Sequence, residues 1–296
     1  MLTLTVSSVQ DAFAKADVKA AEERAGESRN RRRRLPLPVA ERLVAALTTV
    51  AFGLRCAMLV EGGSCVDTGT AVALVLELPR LAEHISVLRL TEDGGDDMVG
   101  NAFFVNRRLL GERLKSLEGA SGRIEQAGSR KDLDFLLINV ERALGAPVND
   151  TVRLGTAFAT EVGYLFARSS GASTGDIALP TPGDPTALAG WLLEYPSVYV
   201  NSTAAGNCLS MVPLRVYEIC LGTHQPPLAT ADDDAMKANH CLCQFSFSVP
   251  DTLAEMAAAL VTAFVKVLEA RVAGVDDSRR GVRMTERVTT LPQVAL

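Results

Sequence analysis

The sequence predicts an α/β fold with α+β character in its C-terminal half: a mixed β-sheet covered by helices in one main domain. Three observations carry this. Apolar stripes of helical period interleave with short apolar runs through the first half, while three strand-like runs gather near the end before a long amphipathic segment. Hydrophobic residues make up 48% and charged residues 22%, a globular balance rather than a disordered or fibrous one. No repeat of solenoid period recurs.

Residues 1–37 read as a disordered basic arm. Ala, Glu, Asp and Lys dominate Asp11 to Glu27, at best a marginal solvated helix, and Arg29, Asn30 and Arg31 to Arg34 follow before Pro36 and Pro38. That basic run is a solvated arm or, alternatively, an import signal. Pro38 suits a first helical turn, and Leu43, Leu47, Val50 and Leu54 then form a core-facing stripe with Thr48 and Thr49 on the other side. Cys56 to Val60 reads as a buried strand, broken by Gly62-Gly63 and ending at Asp67. Thr70 to Leu81 reads as a helix whose end Pro79 obscures.

Ile85 to Leu90 and Ala102 to Val105 are expected as strands, and Arg107 to Leu117 as a helix with Leu110, Leu114 and Leu117 on one side. Leu133 to Leu144 carries both a helical stripe and the continuous apolar run Phe135 to Ile138; the helix is the favoured reading. Val162 to Ala167 suggests a strand, and Ser169 to Pro185, rich in Ser, Gly, Thr and Pro, a surface loop. A helix then runs from Pro185 to about Glu194, ended by Pro196. Val198 to Val200, Leu214 to Leu221 and Leu242 to Val249 follow as strands, with a loop over His224 to Ala238. In the last helix Asp251 is the expected cap, and Leu253, Met256, Leu260, Phe264, Val267 and Leu268 the expected core face. The globular domain is thus expected over 38–273, with 274–296 a flexible tail.

Net charge is −5, distributed as +3 over residues 1–38, +1 over 274–296 and therefore −9 over 39–273. An acidic body repels phosphate backbones, so nucleic acid is not its expected partner. No uncharged apolar run is long enough to span a bilayer. Met1 to Phe13 lacks the pattern of a secretory leader, so Cys56, Cys65, Cys208, Cys220, Cys241 and Cys243 are expected as reduced thiols in the cytoplasm or nucleus.

Asp67-Thr68-Gly69 matches the triplet that carries the aspartate of aspartic proteases, but one carboxylate lacks the facing partner such chemistry needs. The structural reading is a strand-to-helix turn with Asp67 accepting the next helix's amides and Gly69 permitting the turn. His240-Cys241-Leu242-Cys243, with His224, Cys208 or Cys220, offers metal-ligand types without the usual two-residue gap; small buried side chains are the expected reading, and no metal. No Gly-x-Ser-x-Gly, Gly-x-Gly-x-x-Gly or phosphate loop is present.

The most distinctive stretch joins Trp191-Leu192-Leu193-Glu194-Tyr195-Pro196-Ser197-Val198-Tyr199 to Asn207-Cys208-Leu209-Ser210-Met211-Val212-Pro213-Leu214-Arg215-Val216-Tyr217. It resembles uncharacterised protein family 0739, a eukaryotic domain of unknown function. The order helix, strand, Asp67-x-Gly69, helix over 39–84 is similar too, so the resemblance spans about residues 39–270. It implies no established activity, cofactor or catalytic residue. Asp67, Gly69, Tyr195, Asn207 and Cys208 are the candidate binding residues. Tyr195, Tyr199 and Tyr217 are expected as core residues with one wet edge or, alternatively, as the wall of a pocket. No cofactor is expected. The expected function is a non-catalytic module binding a protein or small ligand; the alternative is a hydrolase with a site near Asp67 and Asn207-Cys208.

Overall fold

A computed structural model describes residues 5–25, 35–60, 68–91, 102–115, 135–139, 176–180, 185–200, 211–223, 241–275 and 280–290. The architecture is α/β, as expected, and the chain forms two compact units. One takes in Met1–Gly122 and Phe158–Pro185, the other Arg123–Ala157 and Thr186–Leu296. No composition break marks the exchange of segments between them.

The first unit is built on strands β1 (Ala57–Val60), β2 (Ile85–Thr91), β3 (Ala102–Asn106) and β5 (Asp176–Pro180), in the order β1-β3-β2-β5. β3 pairs antiparallel with β1 and β2, and β2 pairs parallel with β5, so this sheet is mixed. Every residue of β3 is buried, Phe103 and Phe104 on opposite faces included, as befits a strand covered on both sides. Helices α1 (Val6–Ala25), α2 (Leu37–Ala51), α3 (Thr68–Leu76) and the short α4 (Pro79–Ala82) supply Phe13, Leu47, Val50, Leu74 and Leu81 to a core shared with Ile85, Val87 and Phe104.

The α2 stripe is the expected one in Leu47, Val50 and Leu54, but Thr49 is buried rather than solvated, its hydroxyl donating to the Ala45 carbonyl. α2 ends in a tight motif: the Gly53 amide donates to the Val50 carbonyl and the Leu54 amide to that of Thr49. Gly53 stands at φ 69°, the left-handed position that closes such an end and that glycine fills without cost. Residues 107–115 form helix α5. Buried Asn106 caps it by accepting from the Leu109 amide while donating to the Val50 carbonyl.

Pro79 does divide the helix expected over Thr70 to Leu81 into α3 and α4. Residues 1–37 are not wholly a disordered arm. Val6–Ala25 is helical and buries Val9, Ala12, Phe13 and Ala16, because one narrow apolar stripe suffices when α3 and α2 offer a face to cover it. The arginine run lies outside the described residues. So does the strand expected over Val162 to Ala167. Within the loop expected over Ser169 to Pro185, Asp176–Pro180 instead extends β2 as a parallel strand.

In the second unit, β4 (Leu136–Asn139) and β6 (Ser197–Val200) pair parallel. The favoured helix over Leu133 to Leu144 is thus overturned for these residues; the run Phe135 to Ile138 is the strand, because β6 supplies the backbone partner that periodicity alone does not reveal. Helix α6 (Pro185–Leu192) precedes β6. Strands β7 (Pro213–Thr223), β8 (Cys241–Pro250) and β9 (Arg280–Thr290) form an antiparallel sheet in the order β8-β7-β9. The expected flexible tail over 274–296 therefore contains an eleven-residue strand, paired with β7 from Pro213↔Thr290 to Thr223↔Arg280.

A 3-10 turn (Asp251–Leu253) leads into helix α7 (Ala254–Ala273), which buries Ala254, Ala257, Val261, Leu268 and Val272. Phe264 is half-buried, set edge-on to Phe245 and Phe247 with ring centroids 5.4 and 6.2 Å apart. Met256 and Val267, expected in the core, are 43% and 45% exposed: small alanines take the inner positions and rotate the stripe away from them.

Candidate functional site

The described residues that carry the most chemistry lie in the second unit, in and around the Trp191 to Tyr217 block. α6 ends as α2 does. The Glu194 amide donates to the Trp191 carbonyl and the Tyr195 amide to that of Gly190, each at 3.0 Å. The left-handed position here belongs to Glu194, at φ 62°, instead of glycine. Its carboxylate, 4% exposed, accepts from both terminal nitrogens of Arg271 at 2.9 and 2.8 Å, a bidentate pair between the end of α6 and the last turn of α7. A side chain is retained where glycine would relax the backbone because that side chain holds the two helices.

Past Pro196, β6 leans on β8. The Ser197 hydroxyl and the Tyr199 hydroxyl both donate to the Ser248 carbonyl at 2.9 Å, and the Tyr199 and Ser248 hydroxyls lie 3.2 Å apart. Burial pushes the Tyr199 phenol up to about 12, the bond to Ser248 opposing it, so Tyr199 stays a donor at neutral pH. Tyr217 stacks on Phe247 at 5.3 Å, and the candidate Tyr195, half-buried, tilts over the same ring at 5.7 Å. Burial, then Glu286, also raises the Tyr217 phenol. Tyr199 and Tyr217 are buried core residues, the first of the two expectations, and Tyr199 keeps a polar edge at Ser248; Tyr195 stays half-buried.

Asp251 does not cap α7, whose start has no side-chain cap. Its carboxylate accepts from Nε and a terminal nitrogen of Arg215 at 3.0 and 2.8 Å, and Glu286 lies 3.7 Å from the same guanidinium. The bond to Asp251 holds Arg215 still more firmly protonated. Sequence reasoning missed Glu194, Arg271 and the rerouted Asp251. The one available signal was a helix stop, Leu193-Glu194-Tyr195-Pro196, without a glycine.

Of the other candidate residues, Gly69 lies in the first turn of α3. Asp67, Asn207 and Cys208 fall outside the described residues. Cys56 is buried and in no disulfide, as expected, but Cys220 is disulfide-bonded, which overturns the reduced-thiol expectation at that position. His240 lies outside the description, while the backbones of Cys241 and Cys243 stand opposite Gly222 and Leu221 in β7.

β9 is the other chemical feature. It pairs with β7 along one edge, and among the described residues no strand flanks its other edge. On the face shared with α7, Met284 and Val288 are 42% and 56% exposed; on the opposite face Arg283 and Arg287 are exposed, Arg287 lying 3.1 Å from Glu218. Among the described residues no helix is long and apolar enough to cross a membrane.

No curated protein and no solved structure matches this chain. Residues 153–296, which include the Trp191 to Tyr217 block, match the model of a family described as Domain of unknown function (DUF4504), so this part of the chain is similar to an uncharacterised family.

Proposed function

We propose that the chain is a non-catalytic protein-binding module that takes up an extended segment of a partner along the open edge of β9. The observation that carries this is the eleven-residue edge strand with Met284 and Val288 exposed beside it. An unpaired strand edge is a template for another chain, and natural proteins guard such edges unless they use them. β9 contains no proline and its register with β7 is unbroken. The non-catalytic part of the reading is supported by the engagement of Glu194 with Arg271, Arg215 with Asp251 and Tyr199 with Ser248 inside the fold.

Cross-strand pairing defines the partner's chemistry. Opposite residues share a face, so the incoming strand places apolar side chains against Met284 and Val288 and a carboxylate against Arg283. The acidic body and the absence of a spanning helix among the described residues fit a partner that is neither nucleic acid nor membrane, and a place in the cytoplasm or nucleus.

The test is selection of displayed random peptides of about ten residues, the length of a long strand, on the full chain. Enriched sequences should alternate apolar residues with Asp or Glu and should protect the amides of β9 from hydrogen exchange. Capture should fail in the Met284→Asp, Val288→Asp double variant at an unchanged melting temperature. Enrichment without alternation, or capture that survives the double variant, refutes the proposal.

A further inference from the structure

We infer that the outer flank of α7 seats a second copy of this chain, the two α7 helices packing antiparallel about a two-fold axis that crosses between Val261 and Thr262. The inference is independent of strand addition at β9.

A helix that covers a sheet needs one apolar stripe, and α7 carries two. Ala254, Ala257, Val261, Leu268 and Val272 form the first and are buried within the unit. Met256, Leu260, Ala263, Val267 and Ala270 form the second, at spacings of four, three, four and three, the heptad spacing of a helix–helix seam. Met256 and Val267 are 43% and 45% exposed, Ala263 and Ala270 are exposed, and Leu260 is half-buried. Single exposed apolar residues are ordinary on a surface, but a row of them along one line marks a contact face. Phe264, edge-on to the rings of β8, and Arg271, paired with Glu194, border the row on one side, so the seam lies beside β8 and the end of α6.

The occupant follows from the row's complementarity to itself when reversed. In the antiparallel register Met256 lies opposite Val267 of the second copy and Leu260 opposite Ala263 of the second copy, and the two-fold axis repeats each pair. A large side chain thus meets a small one in the Leu260–Ala263 layers, and half-buried Leu253 meets exposed Ala270 at either end, so that knobs fill holes. The charges agree. Glu255 and Lys266, both exposed, stand three turns apart and share the other border of the row. In the same register Lys266 is offset by only about 3 Å along the axis from Glu255 of the second copy, and two opposite-charge pairs flank the seam. Parallel pairing loses both features: alanine would face alanine at 263 and 270, leaving gaps, and Lys266 would come beside Arg271.

The seam is one 20-residue helix against another, less than the interface of a permanent dimer, so association is weak and each chain keeps its own core.

The experiment is sedimentation of the full chain over a range of concentrations. The mass should rise from one chain towards two as concentration climbs through the micromolar range. Val267→Asp should remain a single chain throughout, while in dilute solution, where the copies are apart, it unfolds in urea as the wild type does. Lys266→Glu should weaken association several-fold, and the double exchange Glu255→Lys, Lys266→Glu should restore it, a rescue that parallel pairing would not give. The Met284→Asp, Val288→Asp variant should associate as the wild type does. Four results overturn the inference: one chain at every concentration, which would leave the flank to a different partner; association that survives Val267→Asp; a double exchange no better than Lys266→Glu alone; or association lost in the Met284→Asp, Val288→Asp variant, which would place the contact at β9.

Discussion

Replacing Glu194 separates two opposing terms that the structure superimposes at one residue. The left-handed backbone of a non-glycine residue costs about 1–2 kcal/mol. Removing one partner of a buried ion pair costs about 3–5 kcal/mol, because the other charge remains. Arg271 is 20% exposed and so keeps some access to water, which points to the lower part of that range. Glu194→Ala, which loses the carboxylate and keeps the backbone penalty, should therefore destabilise by about 3–4 kcal/mol. Glu194→Gly loses the carboxylate but relaxes φ, and should cost about 1 kcal/mol less than the alanine variant. Glu194→Gly combined with Arg271→Met leaves no buried charge unpaired and should return to within about 1 kcal/mol of wild type. Trp191, the single tryptophan, lies on the preceding turn and is 1% exposed, so urea unfolding followed by its fluorescence reports on this unit. A Glu194→Gly protein as stable as wild type, or more so, would refute the argument: the ion pair would contribute no more than the about 1 kcal/mol that relaxing the backbone returns, and a carboxylate kept in a strained backbone would then call for a task outside the fold.

Three further outcomes follow from the packing. The Tyr199 phenol is raised from 10.0 to about 12 in the folded chain, so the folded state holds a proton that the unfolded state releases first. That contribution, about 3 kcal/mol, is fully present below pH 10 and lost as pH rises from 10 towards 12; alkaline titration of tyrosinate absorbance should show a late component that shrinks by one tyrosine in Tyr199→Phe, Tyr217 being raised as well. Phe264→Ala should cost about 2–4 kcal/mol, a little under the figure for a fully buried phenylalanine, whereas Met256→Ser and Val267→Ser should stay within about 0.5 kcal/mol of wild type in the same urea assay. Deleting residues 1–34 removes Phe13, whose burial alone is worth about 1.5–3 kcal/mol, with Val9, Ala12 and Ala16 beside it; the truncated chain should melt at a clearly lower temperature, and an unchanged melting curve would mean that α1 adds nothing to the core.

Segments that satisfy their own backbone were legible from sequence. The stripe through Leu47 and Val50 predicts α2, Pro185 opens α6, and the apolar runs of β2, β3, β7 and β8 stand where expected. The aromatic character of the site was legible too, since Tyr195, Tyr199 and Tyr217 all sit against β8 residues. The segments read differently share one property: their structure depends on a partner distant in sequence. A helix forms its hydrogen bonds within one stretch of chain, so periodicity reveals it, whereas a strand exists only where another strand accepts it. Leu136–Asn139 is a strand because Ser197–Val200 lies beside it, Asp176–Pro180 because β2 offers a parallel edge, and Arg280–Thr290 because β7 does. The α1 stripe is too narrow to predict a buried helix until α3 and α2 cover it. Glu194 follows the same logic at the scale of one residue. Local rules call for glycine at the left-handed end of α6, and Glu194 stands there only because α7, in the folded chain, brings Arg271 within 2.8 Å.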